Sequence, residues 1–240
     1  MSLITRPPPR LPCALTALAG FLLSGCSPSS DKAWLPLNVG LTHHYSVTQT
    51  SEEPIKPQEW TLKLLRTEQR DGVTQFVRHH SEGVSYYLVA DAQGVRRVAT
   101  QLDVDTEPLP DKEPRWVLQM PYAVGTEWTT PTVPYLINRR NEYPKELKNT
   151  HSALMTWRIE ALDDKVTTPA GSFEPCMRVE GQARLNLYTD PVNGFTDVPL
   201  VSREWYCQGV GLVKFEREEK LASTFLLGGT LRAELTDWAR

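Results

Sequence analysis

The chain has 240 residues, 23% of them charged and 9% aromatic, with a formal net charge of −3. Nucleic acid and anionic surfaces are bound through clustered Lys and Arg, so this balance argues against a role resting on a basic face. The length suits one large β-rich unit or two small ones.

The N-terminus carries Arg6 and Arg10, then an apolar stretch at residues 11–23, then small residues up to Gly25. That order is the charged, apolar and cleavage-site pattern of a secretory signal. At a rise of ~1.5 Å per residue the stretch reaches roughly 20 Å, short of the ~30 Å hydrocarbon core, which predicts a removable signal rather than a permanent span. Leu23-Ser24-Gly25-Cys26 resembles the lipobox of bacterial lipoproteins. The resemblance implies cleavage before Cys26 and acylation of Cys26, with palmitate among the acyl chains. It also implies sorting to the inner leaflet of the outer membrane, facing the periplasm, because Ser27 rather than Asp follows. The expected organisation is a signal peptide at 1–25, a lipidated tether at 26–33 and a single β-rich domain at 34–240. Loss of the two signal arginines takes the formal charge from −3 to −5. The membrane is then a partner through the acyl chains on Cys26, an envelope protein or lipid is a further candidate partner, and nucleic acid is not one.

Beyond the polar tether the chain reads as strands. Residues 42–50 alternate loosely, and Trp60, Leu62 and Leu64 recur at period two in 60–66. Asp71-Gly72, Glu82-Gly83 and Gln93-Gly94 are hairpin signals separating strands at 73–79, 84–89 and 95–102. Residues 103–114 read as an acidic, proline-bearing loop, and 115–120 as a strand. Residues 131–150 hold Pro131, Pro134 and Pro144 and read as a long excursion with at most one helical turn. Arg139-Arg140 with Lys145 and Lys148 is a candidate contact patch, although Glu142 and Glu146 fit a solvated surface better. Strands are expected again at 153–162, at 176–182 and 183–188 after the Thr168-Pro169-Ala170-Gly171 turn, and at 203–207 and 212–218 around Gly209-Val210-Gly211. Residues 190–197, with Asn193-Gly194, read as a loop, and 223–227 and 230–238 as the last strands. No window of twelve or more residues keeps a 3.6 period. The fold class is therefore all-β and mainly antiparallel, a β-sandwich or a curved half-barrel-like sheet with little helix. Pro36-Leu37-Asn38-Val39-Gly40 before Tyr45 echoes Pro121-Tyr122-Ala123-Val124-Gly125 before Trp128, either a duplicated unit or one turn solution used twice.

Cys13 leaves with the signal and Cys26 is acylated, so Cys176 and Cys207 remain as an even pair in an oxidising compartment. A disulfide closing their loop would stabilise by ~3.5 kcal/mol on the chain-entropy model; two buried free thiols are the alternative.

Three segments together resemble a group of bacterial exported β-proteins and lipoproteins. They are Pro36 to Tyr45 as a Pro-Leu-x-x-Gly-led strand, Thr168 to Phe173 as a Thr-Pro-Ala-Gly-x-Phe turn followed by Cys176 and Val179, and Trp205 to Lys214 as Trp-Tyr-x-x-Gly-Val-Gly-x-Val-Lys. His43 departs from the group's aromatic position. The resemblance implies fold and location, and carries over no catalytic residue.

Chemistry-bearing patterns are sparse. His43-His44 and His79-His80 are strand neighbours that point to opposite faces, so neither pair can chelate one ion, and only a cross-strand site is geometrically allowed. Asp103-Val104-Asp105 begins like a calcium loop, but Pro108 stands where the turn glycine belongs and Pro114 where the bidentate Glu belongs. Asp190, Asn193 and Asp197 around Gly194 read as a turn first and an ion site second. No nucleophile elbow, phosphate-cradling glycine loop or zinc-protease motif occurs, so no catalytic residue, metal site or cofactor is assigned and the chain is not read as an enzyme. Three readings follow in order: a lipid-anchored structural or interaction module of the cell envelope, a carrier of a lipid or other apolar ligand in a curved sheet, and a hydrolase. An unfilled apolar cavity favours the carrier, a flat apolar patch the module, and converging titratable groups the hydrolase.

Overall fold

The computed structural model describes residues 32–50, 56–140 and 151–240. The signal peptide, Cys26, and Lys145 and Lys148 of the basic excursion lie outside the described residues. Within them the fold is a single thirteen-stranded antiparallel sheet with no helix among its elements. In chain order the strands are β1 (Thr42–Thr50), β2 (Gln58–Arg70), β3 (Val73–His80), β4 (Val84–Asp91), β5 (Gly94–Leu102), β6 (Leu109–Gln119), β7 (Glu127–Thr132), β8 (Asn138–Arg139), β9 (Ala153–Thr168), β10 (Gly171–Asp190), β11 (Gly194–Cys207), β12 (Gly211–Ala222) and β13 (Leu226–Ala239).

Their spatial order is β6-β5-β4-β3-β2-β1-β13-β12-β11-β10-β9-β7, with β8 beside β13. This is an up-and-down meander curled until its two ends, β6 and β7, come together as a nearly closed barrel. One continuous sheet excludes the sandwich and leaves the curved, barrel-like alternative. The core lies inside the curl, where alternate residues of every strand meet: Tyr45, Val47, Val213 and Leu235 in one cluster, Leu88, Leu118, Trp128, Ile159 and Val179 in another. Residues 33–40 run into the second cluster. Trp34, Leu35 and Leu37 pack beside Met177 and Tyr206, and Ala33 O accepts from Gly209 N–H at 2.9 Å.

Several expected loops are shorter than the sequence suggested. Residues 109–114 belong to β6, where Pro110 and Pro114 are tolerated because the strand pairs with β5 alone. The 190–197 loop shrinks to residues 191–193, its turn tied by Asp190 Oδ1 accepting from Val192 and Asn193 N–H at 2.9 and 2.7 Å. The two strands expected at 176–182 and 183–188 are one, β10, because the small Gly181 and Ala183 sit inside a continuous ladder rather than at a break. In the 131–150 excursion, β7 continues to Thr132 and β8 adds two residues against β13, with no helical turn among the described residues. The Arg139-Arg140 pair is fastened there by Arg140 N–H to Phe225 O at 2.8 Å.

Cys176 and Cys207 stand directly opposite each other across β10 and β11, with Cα atoms 4.0 Å apart and sulfurs bonded at 1.98 Å. Both are fully enclosed in the first core cluster.

Candidate functional site: the cavity inside the barrel

A cavity of about 520 Å³ is lined from β1 to β7, β9 and β11 to β13, which places it inside the curl. Its size lies within the roughly 300–1,000 Å³ of small-molecule sites. The walls are mainly apolar and aromatic. Tyr45 and Trp60 face in as a directly opposed pair on β1 and β2, Tyr86 and Leu88 come from β4, Trp157 from β9 and Phe215 from β12.

Local structure positions these walls. Trp157 lies flat on β10 because its neighbour there is Gly181; a Cβ at 181 would meet Trp157 Cε3 at 2.7 Å. The indole N–H of Trp157 donates to Thr130 Oγ1 at 2.9 Å, fixing the ring. Tyr45 O–H donates to Leu212 O at 2.8 Å, so its ring stands along the wall rather than across the space. Tyr135 arrives from the connection after β7 and is held by a buried ion pair on β12. Arg217 (2% exposed) and Glu219 (0%) meet at 2.9 Å, and Glu219 accepts the backbone N–H groups of Tyr135, Leu136 and Ile137 at 2.8 to 3.2 Å. Arg217 also donates to Ser202 Oγ at 2.9 Å and lies 5.0 Å over the Tyr135 ring. A buried pair so fully hydrogen-bonded meets the condition under which charge is tolerated in an interior.

Charged groups punctuate the cavity. Arg97 donates two bonds of 2.8 Å to Asp111, and Arg115 approaches the same carboxylate at 3.5 Å. Arg78, on β3 opposite Tyr86, is different: its Nε is buried with no hydrogen-bond partner, and no ion pair reaches it among the described residues. Trp60 Nε1 is a second buried donor without a partner. Glu204, partly buried on β11, lines the cavity. Burial pushes its carboxyl above the usual carboxylate range, against the opposing pull of Tyr206 O–H, which donates to Glu204 Oε2. Tyr206 is itself pushed up by burial and by that carboxyl. His80 accepts from Glu82 N–H at Nδ1 at 3.0 Å, and burial lowers its pKa, so the ring is neutral against Trp60, 5.1 Å away.

The remaining sequence candidates do not converge. His43 Nε2–H donates to Val210 O at 2.7 Å, His44 bonds Thr61 Oγ1 at 3.0 Å, and His79 bonds Asp103 at 3.1 Å, each on a different part of the surface or wall. Asp105 accepts from Leu102 N–H at 3.2 Å within its own turn, and Asp197 from Asn186 at 2.7 Å. Among the described residues lining the cavity the one aliphatic hydroxyl is that of Thr130, already bonded to Trp157 and with no base beside it. The cavity therefore has apolar and aromatic walls with charged groups set among them.

Sequence reasoning missed Arg78, Glu204, Arg217 and Glu219. The signal was phase: Val213, Phe215, Arg217 and Glu219 share one face of β12, so an Arg and a Glu two residues apart continue an inward apolar series.

No protein-family model matches the chain, and no curated protein does. Two solved structures are similar to it, a putative lipoprotein of Parabacteroides distasonis and a putative exported protein with a YmcC-like fold of Bacteroides fragilis. Each is 14% identical, with a TM-score of 0.38 over 87% of this chain, covering 99% of the first and 100% of the second. No activity is transferred from either.

Proposed function

We propose that the chain is a lipid-anchored carrier of the bacterial cell envelope, a barrel tethered through Cys26 that holds an amphipathic ligand in its interior. The observation that supports the interior site is the cavity of about 520 Å³ with aromatic and aliphatic walls. A flat apolar patch would have favoured the interaction module instead. The exposed large apolar residues form no single face: Val39, Val104 and Leu154 lie on separate elements, while Tyr188, Val192 and Phe195 share the tip of the β10–β11 hairpin. The anchor rests on the lipobox and on the tether. Roughly ten residues at ~3.5 Å each keep the barrel within about 35 Å of its membrane, suiting a protein that exchanges lipid with that membrane. The absence of Asp after Cys26 supports the inner leaflet of the outer membrane as its place.

Native mass spectrometry of the protein released from its own envelope tests the carrier reading. The expected spectrum shows a co-released amphiphile. Ligand-free protein throughout, together with no uptake of added palmitate or hexadecanol, would overturn it. Metabolic labelling with a fatty-acid analogue tests the anchor, which fails if Cys26→Ser leaves the label undiminished.

A further inference from the structure

We propose that the cavity is built for an amphiphile with a single acyl chain and an anionic head, its oxyanion bound by Arg78; this rests on the carrier reading and names its ligand. The charged groups of the wall lead there. Arg97 and Arg115 share Asp111 and Arg217 has Glu219, whereas Arg78 has no ion pair among the described residues and its Nε is buried without a partner. Its Nε is closed off from the space, so what Arg78 offers a ligand is the charge of a cavity-lining guanidinium without an ion-pair partner, and an oxyanion is the group that meets such a charge with charge-assisted hydrogen bonds. Three arginines, Arg78, Arg97 and Arg115, line the cavity against two carboxylates, Glu82 and Glu204, so its wall carries an excess of positive charge.

Glu204 lines the same cavity but makes no ion pair with Arg78 among the described residues. Its Oε2 accepts from Tyr206 O–H, and burial pushes its carboxyl above the usual range, which lessens the repulsion an incoming anion would otherwise meet. Beyond this polar end, Leu62, Leu88, Leu212 and Phe215 offer an apolar wall. Volume sets the chain number. At roughly 30 Å³ per non-hydrogen atom, water's share of the liquid, about 520 Å³ takes roughly seventeen such atoms. That is one acyl chain rather than two, with a head larger than a carboxylate left in the open mouth of the cavity.

The full chain carrying Cys26→Ser, isolated without detergent, allows direct titration by quenching of Trp fluorescence. The probes are palmitate, a palmitoyl lysophosphatidate, hexadecanol and dipalmitoyl phosphatidylglycerol vesicles. Palmitate or the lysophosphatidate should bind about tenfold or more tighter than hexadecanol, and which of the two binds tighter distinguishes a free fatty acid from a lysophospholipid. The diacyl vesicles should not bind. Arg78→Met should abolish the preference for a charged head while leaving hexadecanol unchanged, and Arg78→Lys should restore part of it, which separates head recognition from misfolding. Equal binding of hexadecanol and the anions by the parent chain would overturn the role of Arg78 and leave the carrier reading standing. Binding of none of the probes would overturn both.

Discussion

Two junctions bring the sheet round on itself, and they are built in opposite ways. β1 and β13 stand at opposite ends of the described chain, yet they pair continuously from Thr42↔Ala239 to Thr50↔Thr230 with one bulge. β6 and β7 are joined by the short connection of residues 120–126, yet no ladder links them. Among the described residues a hydrogen bond from Arg115 Nη1 to Pro131 O at 3.4 Å crosses between them. Loop-closure entropy favours the short connection, so proximity along the chain predicts the reverse. The difference lies in what each edge can donate. β6 carries Pro110 and Pro114 and β7 carries Pro131, each without an N–H, whereas β1 and β13 contain no proline.

The two junctions nevertheless begin alike. Gly40 (φ 94°) donates to Leu64 O at 2.8 Å, and Gly125 (φ 89°) to Ile159 O at 2.8 Å. Leu41 N–H reaches Asn38 O at 3.0 Å as Thr126 N–H reaches Ala123 O at 3.1 Å. Positive φ at both glycines is what lets each turn feed its strand. The repeated sequence thus sets the start of β1 and of β7, and the prolines downstream decide which strand finds a partner. Outside the unzipped junction lies a groove of about 720 Å³ between Glu113, Pro114 and Trp116 on one side and Glu127, Trp128 and Thr129 on the other. Trp116 lines both this groove and the inner cavity.

An unpaired edge must be held by something other than backbone, and the Arg217–Glu219 pair does this from within. It fastens residues 135–137, just beyond β7, to β12. Arg217→Met leaves Glu219 charged and unpaired in the interior and should cost about 3–5 kcal/mol, the scale of a broken buried pair. Urea unfolding measures it. A loss within 0.5 kcal/mol, about that of a surface substitution, would mean the edge is held elsewhere.

The zipped junction should show its character in acid. His43 lies on β1 opposite Trp238, and burial lowers its pKa to about 4, with the bond to Val210 O opposing and Arg78 and His44 adding to the shift. A group whose folded pKa is lowered binds its proton in the unfolded chain first. Its contribution is therefore complete above the unfolded value of about 6.5 and is lost as pH falls toward about 4. The loss is on the order of 3 kcal/mol over that window. His43→Gln keeps a donor for Val210 O without titrating, and should flatten the fall. Parallel acid profiles for the two proteins would show that His43 does not carry it.

Most strands were legible because a barrel wall with one wet face keeps period two; β1 matches its expected span of Thr42–Thr50 residue for residue. β6 was not legible, since proline and acidic residues mark both a loop and a deliberately blunted edge, and only the fold says which. The Cys176–Cys207 pair was readable by elimination. The cavity was not: Arg78 and Glu204 interrupt apolar alternation, and nothing local distinguishes an inward charge from a solvated one. Their common interior appears once β3 and β11 face each other across the curl.

The finest test of the comparison is amide hydrogen exchange with the prolines replaced. β1 is paired on both sides, by β2 and β13, so its amides should exchange through large openings of the sheet. Amides of β6 and β7 that point toward their shared junction have no ladder partner, and should exchange orders of magnitude faster while those facing β5 and β9 stay protected. Pro114→Val with Pro131→Val returns an N–H to each edge and removes the ring that blocks close approach. If missing donors are what keep the junction open, the double variant should gain protection along β6 and β7 and stabilise by about 1 kcal/mol, one net hydrogen bond or two. β1 should be unaffected. Unchanged exchange at β6 and β7 would show instead that side chains such as Trp116 and Trp128 wedge the strands apart, and that the prolines follow from the open edge rather than cause it.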